Sequence, residues 1–323
     1  IISIFLFNIS FTMIKDHPHQ NIYFNVIAGK EIENKFEMDY WGLSNKQAFE
    51  YILKNENNDK INVGSAGPIS LENSKMILSK NNRNRINITE NSQLKYLYLN
   101  FNSFYKLDTS GNPNLQDLSL DNNAIIPEFD FSNNSSMKNI AMPNIAFGAL
   151  SGEYIGAGGY FDISHLTQLE GLSIHDNNFT SIDLSGNPNL TLLRASSNNF
   201  TSIDLSNNDN LIEIELGGGN TFPIIVTSNM ENLEILSVGD NPNLTSLNVS
   251  SNTELIKLEA PSCNLQGILD VSMLENLMEL RVLDNPNLTC IKVNQTQLDN
   301  INNGAPDFNW VFDWDVTISV DCD

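Results

Sequence analysis

Apolar residues recur along the chain in a fixed frame, LxxLxLxxN, which alternates at its centre as a half-buried strand does. The frame is read most clearly in LKYLYLNFN (94–102), LQDLSLDNN (115–123), LEGLSIHDN (169–177), LTLLRASSN (190–198), LEILSVGDN (233–241), LIKLEAPSC (255–263) and LMELRVLDN (277–285). Weaker copies start at Met137 and Leu211. The copies start 21 or 22 residues apart, except for one interval of 32 residues. A period this constant predicts a chain of stacked structural repeats.

A second motif lies between the frames and completes each repeat. It is read in FYKLDTSGNPNL (104–115), FTSIDLSGNPNL (179–190), FTSIDLSNNDNL (200–211) and LTSLNVSSNTEL (244–255). Each coil is therefore expected to form one strand, to turn at Asn, to form a second extended piece and to turn again at a cluster of Asn, Pro, Gly and Asp. A coil this short has no room for a long helix. The pattern predicts a solenoid of about nine coils over residues 93–298, with parallel strands on the concave face and an extended or 3₁₀ convex side.

The ninth position of the frame is expected to be structural. One coil cannot bury its own Leu, Ile and Phe, so stacked coils share a continuous core. An inward amide at a tight bend can bond backbone groups that the bend leaves without partners. The predicted ladder residues are Asn102, Asn123, Asn177, Asn198, Asn241, Cys263 and Asn285. Cys263 takes the place of an asparagine there and is expected to be a buried thiol.

These repeats resemble the leucine-rich-repeat family, and their xNPNL variant is similar to the surface and secreted repeat proteins of Bacteroidetes-type bacteria. The end of the chain resembles the same proteins, since LTCIKV and FNWVFDWDVTISVDC place two cysteines around a short aromatic cap, residues 299–323. The resemblance implies a ligand-binding surface and supplies no catalytic residues. Three cysteines cannot all pair; a Cys290–Cys322 bridge would close the C-terminal segment and leave Cys263 reduced.

Residues 1–92 do not share the period. Residues 15–92 are expected to form a small α/β segment, with helices at 44–54 and near 70–80 and strands at 60–64 and 85–89. Residues 1–14, IISIFLFNISFTMI, are apolar but too short to span a bilayer. They fit the end of a membrane helix, the remnant of a signal peptide or a buried strand.

Four stretches of this segment carry a second resemblance: HPHQNIYFN (17–25), AGK (28–30), DYWGLSNKQAFEYIL (39–53) and NRINIT (84–89). They are similar to the extracytoplasmic segment after the last membrane helix of bacterial membrane glycosyltransferases of the protein-mannosyltransferase type. The resemblance implies that residues 1–14 end that helix, which would tether the chain to a membrane. It transfers no active site, because the catalytic carboxylates of those enzymes lie in an early loop that has no counterpart here. The junction with a repeat array departs from that family's pattern.

Charge and candidate chemistry narrow the function. A formal net charge of −22 argues against nucleic-acid partners, whose phosphates select basic faces. His17 and His19 lack a third metal ligand, and the His175–Asp176 pair lacks a nucleophile. No cofactor, metal site or catalytic residue is predicted.

The exposed positions of the concave strands are expected to be the third, fifth, seventh and eighth of each frame. The candidate ligand-binding residues among them are Tyr96, Tyr98, Phe101, Asp121, His175, Asp176, Arg194, Glu213, Glu215, Glu259 and Arg281. The aromatic end suits sugar or protein contacts, or equally a contact with residues 15–92. The acidic remainder fits a basic partner, Ca²⁺ or a solvated face. The 32-residue interval adds a glycine-rich loop at 143–160, a second candidate contact.

The sequence therefore predicts a non-enzymatic, extracytoplasmic protein that binds a protein or glycan through its concave face and the 143–160 loop. Two alternatives stay open. One is that the chain is the C-terminal accessory region of a membrane glycosyltransferase fused to repeats, and the other is that it is a purely structural stalk.

Overall fold

A computed structural model describes residues 61–62, 86–87, 92, 94–100, 107–123, 129–145, 161–306 and 308–322. The apolar segment at 1–14 and the helices expected at 44–54 and 70–80 lie outside these residues. From the expected N-terminal segment, two short strands are described, β1 (Ile61–Asn62) and β2 (Ile86–Asn87), which pair in parallel.

One long parallel sheet dominates the described part of the chain, and its strands come from the repeat frame. They are β3 (Tyr96–Tyr98), β4 (Asp117–Ser119), β5 (Asn139–Ala141), β6 (Gly171–Ser173), β7 (Leu192–Arg194), β8 (Glu213–Glu215), β9 (Ile235–Ser237), β10 (Lys257–Glu259), β12 (Glu279–Arg281) and β14 (Asn309–Val311). Each strand pairs with the next in register, so equivalent positions of successive coils form straight columns across the sheet. All nine frames contribute a strand, at their third to fifth positions, and β14 of the C-terminal cap adds a tenth. The prediction of a leucine-rich-repeat solenoid is confirmed.

The alternation within each strand places the core. The central residue of every frame strand, such as Leu193 in β7 or Ile214 in β8, is fully buried, and its two neighbours face the concave surface. Behind the sheet, Phe161, Phe179, Phe200 and Phe222 form a continuous row, with ring centroids 5.2, 6.4 and 6.3 Å apart. This row ties consecutive coils together through apolar contact.

The convex side is built from turns rather than helices. A second parallel sheet, β11 (Gln266–Asp270), β13 (Asn287–Lys292) and β15 (Thr317–Ser319), lies on that side of the last coils. The described helix, α1 (Gln295–Asn303), was not expected from the repeat pattern. It starts at a capping box between Asn294 and Gln297 and ends at Gly304, whose φ of 63° is the left-handed conformation that glycine adopts most readily.

The amides at the ninth position bond backbone groups of two neighbouring coils. In the coil of β7, Asn198 donates from Nδ2 to the carbonyl oxygens of Ile174 (3.0 Å) and Ala195 (3.1 Å), and its Oδ1 accepts from the Phe179 N–H (3.0 Å). Asn123, Asn177, Asn241 and Asn285 donate in the same way. Asn102 lies outside the described residues.

Two irregularities interrupt this ladder. The coil of β5 carries Ile145 at the ninth position, and its N–H donates to Asn177 instead. In the coil of β8 the amide is Asn220, displaced by one extra residue in the glycine run Gly217–Gly219. The sequence frame missed Asn220 because a one-residue insertion moves it out of register, although the local chemistry is unchanged.

A second ladder of buried amides runs along the convex side, where the sequence predicted only turns. Asn187 donates to the carbonyls of Ile163 (2.9 Å) and Leu166 (3.0 Å), and Asn208 donates to those of Leu184 (3.2 Å) and Asn187 (2.9 Å). Asn134, Asn252 and Gln297 hold the same position in other coils. The first Asn of the NPNL motif is therefore a core residue. Its side-chain amide bonds backbone carbonyls at the convex bend, as the ninth-position amide does at the concave bend.

Candidate functional site

The concave face consists of two columns of side chains, one residue on either side of the buried strand centre. The first column runs Tyr96, Asp117, Asn139, Gly171, Leu192, Glu213, Ile235, Lys257, Glu279 and Asn309. The second runs Tyr98, Ser119, Ala141, Ser173, Arg194, Glu215, Ser237, Glu259, Arg281 and Val311. Neighbouring members of a column lie on strands about 4.8 Å apart, so their side chains can interact directly.

The aromatic end of the face is tied to the next coils by hydrogen bonds. The Tyr98 hydroxyl donates to Oδ2 of Asp117 (3.3 Å), and the Asn139 amide donates to its Oδ1 (2.7 Å). Both tyrosines are half-buried, so part of each ring stays open to solvent. Phe101, the third aromatic candidate, lies outside the described residues.

A charged cluster occupies the middle of the face. The Arg194 guanidinium donates to one oxygen of Glu213 from Nε (2.8 Å) and from Nη2 (2.6 Å), and it lies 3.4 Å from Glu215. Burial raises the pKa of the Glu215 carboxyl, and the positive charge of Arg194 opposes that rise. The register explains the cluster, because Leu192↔Glu213 and Arg194↔Glu215 are paired positions of β7 and β8.

His175 and Asp176 follow β6 on the same side of the face. Nδ1 of His175 lies 2.8 Å from Asp176 Oδ2. His175 is also close enough to Glu215 to oppose the rise in the pKa of the Glu215 carboxyl. Asp176 has a φ of 56°. At the equivalent eighth position of their coils, Asp240 has a φ of 56° and Asp284 a φ of 58°. The eighth position is therefore a left-handed turn, which explains why Asp, Asn, Ser and Gly occupy it. Asp121, one position earlier in its coil, accepts a hydrogen bond from the neighbouring Asn122 side chain.

The C-terminal third carries a second charged group. Lys257 lies 3.3 Å from Glu259 on its own strand and 3.6 Å from Glu279 on the next. Arg281, beside Glu279 on β12, is exposed. Counted over the middle cluster and this group together, the four glutamates Glu213, Glu215, Glu259 and Glu279 exceed the three cations Arg194, Lys257 and Arg281 by one negative charge.

The remaining candidates are placed as follows. Of the 143–160 loop, residues 143–145 are described and the glycine-rich part lies outside the described residues, as do His17 and His19. Within the described residues, no three His, Cys, Asp or Glu side chains lie close enough to hold a metal ion.

The three cysteines occupy two environments. Cys290 and Cys322 form a disulfide with a Cα–Cα distance of 6.0 Å. Cys263 is buried, with its Sγ 3.3 Å from the Val238 carbonyl oxygen. No helix in the described part of the chain has the length and apolar character needed to cross a membrane.

Comparison with known proteins identifies the fold. No family model and no curated protein matches the sequence. The structure is similar to the functional domain of InlJ from Listeria monocytogenes, which includes a cysteine ladder, with a TM-score of 0.57 and 24% identity over 74% of this chain and 51% of that one. It is also similar to a leucine-rich-repeat protein from Leptospira interrogans (TM-score 0.51, 17% identity, 81% of this chain and 74% of that one).

An internalin, InlF, from Listeria monocytogenes is a third similar structure (TM-score 0.50, 17% identity, 86% of this chain and 90% of that one). The chain spans about half the length of the InlJ domain. These likenesses show the leucine-rich-repeat fold, shared with bacterial repeat proteins. None of the comparisons supports the resemblance of residues 1–92 to protein-mannosyltransferase-type enzymes.

Proposed function

We propose that this protein is a non-enzymatic, extracytoplasmic binding protein whose concave face engages a protein partner. The observation that carries the proposal is the rigid parallel sheet, which presents tyrosines and charged side chains in straight columns over ten described strands. Buried residues of the same coils are accounted for by the core and the amide ladders, whereas most side chains of the two concave columns are at least partly exposed, and of the tyrosines Tyr98 also packs against the core.

The charged clusters suit recognition of a protein surface. Arg194 is bonded to Glu213 and Glu215, and Lys257 to Glu259 and Glu279, so these side chains are held in position before a partner arrives. Preorganised groups lose less conformational entropy on binding. Their net negative charge favours a partner with a basic contact surface.

The disulfide supports an extracytoplasmic location. Cys290–Cys322 joins β13 to the end of the C-terminal cap, and such bonds persist mainly in oxidising compartments. The similarity to internalins agrees with a binding role, because the fold presents the same kind of concave sheet.

Absence of catalysis is part of the proposal. Within the described residues, the carboxylates beside Arg194 and Lys257 are engaged in ion pairs, and the His175–Asp176 pair has no serine or cysteine bonded to it. We expect no turnover of glycosides, esters, peptides or nucleotides by the purified chain. Turnover that is abolished by His175→Ala would contradict this.

The binding experiment screens the purified protein against a library of surface and secreted proteins and titrates each hit. Two concave variants, Tyr96→Ala with Tyr98→Ala and Arg194→Glu, should each weaken binding about tenfold or more, a loss of about 1.4 kcal/mol or more. Matched convex variants, Ile224→Ala with Val226→Ala and Lys292→Glu, remove exposed apolar and basic groups from the other side and should leave binding unchanged. Equal binding by all four variants, or loss only in the convex pair, would overturn the concave site.

A further inference from the structure

A groove of about 790 Å³ runs along one edge of the concave sheet, outside the two columns described above. It follows the line where each coil turns from the convex side into its concave strand. Four lining residues, Glu170, Thr191, Ile212 and Glu234, each lie one position before their strand begins. The other wall, called the amide wall below, consists of Gln168, Asn189, Asn210, Asn232 and Glu254. The groove spans the five coils of β6 to β10, about 19 Å at a strand spacing of about 4.8 Å.

Two side chains of the amide wall are held in a fixed orientation by the preceding coil. Asn189 donates from Nδ2 to the Thr167 carbonyl (2.8 Å), and Asn210 donates to the Pro188 carbonyl (2.9 Å), in each case one coil earlier. The bond uses the nitrogen of each amide, and no described residue donates to either Oδ1. The amide wall therefore places one amide or carboxylate side chain per coil along the groove, and in the coils of β7 and β8 the amide acceptor does not have to be reoriented for a ligand.

The opposite wall combines polar groups with a small apolar surface. Glu170 and Glu234 present carboxylates at its two ends, and Glu170 is paired with Lys138 at 2.6 Å. Between them Ile212 keeps 38% of its surface exposed. A ligand that fits this groove must offer hydroxyl or amide donors along its edges and an apolar face at its centre.

We propose that the groove binds a linear, uncharged polysaccharide. Sugar rings offer hydroxyl groups at their edges and C–H groups on their faces, and one ring of an extended chain covers about one strand interval. An extended peptide advances about 3.3 Å per residue, so its donors would fall out of step with the acceptors after a few coils. Glu170, Glu234 and Glu254 would repel a polyanion, which excludes uronic-acid and sulfated chains as well as nucleic acids. The site is independent of the proposed protein-binding face.

The test uses the full chain and soluble linear oligosaccharides, namely β-1,4-glucan, β-1,4-mannan and β-1,4-xylan of two to eight sugars, in isothermal titration. At least one series should bind, with an affinity that rises with length up to about five sugars and then levels off, as a groove of this span requires. Ile212→Arg, which fills the groove, should reduce that affinity about tenfold or more. Met278→Arg is the matched control, because Met278 is an exposed apolar residue at the equivalent position three coils later.

A second matched pair tests the amide wall. Asn189→Ala with Asn210→Ala should weaken binding, whereas Asn114→Ala with Asn243→Ala should not, although each pair removes two bonds from a side-chain amide to a backbone carbonyl of the preceding coil. Arg194→Glu on the concave face should leave the oligosaccharide affinity unchanged, which separates this site from the protein-binding one. Failure of all three series to bind overturns the proposal. So does binding of polylysine or of a polyuronate in their place, or binding that Ile212→Arg does not reduce.

Discussion

A ninth-position asparagine satisfies several backbone groups at once, since it bonds two coils from a single buried side chain. Asn198 makes bonds of 3.0 Å to the Ile174 oxygen, 3.1 Å to the Ala195 oxygen and 3.0 Å from the Phe179 nitrogen, and no water can replace them at a buried bend. Such residues are more sensitive to substitution than their surface neighbours of the same type.

We therefore predict that Asn198→Ala lowers the free energy of unfolding by about 1–3 kcal/mol, since the buried Phe179 N–H loses its acceptor and three carbonyl oxygens each lose one donor. Urea denaturation followed by circular dichroism measures this directly. Asn199→Ala is the control, because the Asn199 side chain is exposed and only its backbone is hydrogen-bonded. Equal stability of the two variants would show that the ladder does not contribute to the fold.

Cys263 shows how the same position accommodates a different residue. Its thiol replaces the amide and lies 3.3 Å from the Val238 oxygen, while burial raises the pKa of the thiol. A protonated, inaccessible thiol reacts slowly with alkylating reagents.

The prediction for the cysteines is that iodoacetamide leaves the native protein unmodified at pH 8 and labels only Cys263 after unfolding without reductant. Peptide mapping of the non-reduced protein should then find Cys290 bonded to Cys322. Rapid native labelling of Cys263, or a bridge that includes it, would contradict the placement of all three residues.

At the scale of the element, the convex turns depend on a repeated Asp-x-Ser unit. The carboxylates of Asp162, Asp183 and Asp204 each accept a hydrogen bond from the serine two residues later. For Asp183 the Ser185 hydroxyl contributes most, at 2.6 Å, and these bonds hold the pKa of the carboxyl below its ordinary value.

The sign of the pH dependence follows. Because the folded pKa is depressed, the ionised carboxylate stabilises the turn above the unfolded pKa, and that contribution is lost as pH falls through the folded pKa. We predict that NMR titration finds the Asp183 midpoint below that of an unfolded aspartate, and that Ser185→Ala raises it. Ser202→Ala, an exposed serine outside the turn, should leave it unchanged. A midpoint insensitive to Ser185→Ala would remove this account of the turn.

The elements also differ in how far the sequence predicts them. All nine concave strands follow from the frame, because the alternation around residues such as Leu193 is local and is present in every copy. The sequence predicts the convex residues Asn187 and Asn208 only as turn residues. An Asn next to Pro or Asp gives the same sequence signal whether its side chain is exposed in a turn or buried in a ladder. Helix α1 runs from the end of the last coil into the cap, where the repeat pattern stops and no periodic signal predicts an element.

The candidate site is also predictable only in part, because the sequence shows which way a side chain faces but not which side chains it contacts. The frame identifies which side chains face the concave surface, including Arg194 and Glu215. It does not identify which of them form ion pairs. Arg194 and Glu213, for example, lie on neighbouring coils and are 19 residues apart in the sequence. The edge groove depends on positions before the strands, which the frame treats as connecting turns.

At the scale of the whole molecule, the coils form one stacked body over the described repeats, with a net charge of −22 for the chain. Such a body changes little on binding, so a partner should be recognised by a preformed surface. The concave and convex sides differ in chemistry: paired charges and tyrosines occupy one, and aspartate turns with isolated apolar residues occupy the other.

The central claim is that the concave face is the binding surface, and hydroxyl-radical footprinting of the protein with a bound protein partner tests it most directly. We predict that oxidation of Tyr96, Tyr98 and His175 falls several-fold in the complex, whereas oxidation of the exposed convex residue Met273 stays the same. Protection of Met273 with unchanged oxidation of the two tyrosines and His175 would contradict the account.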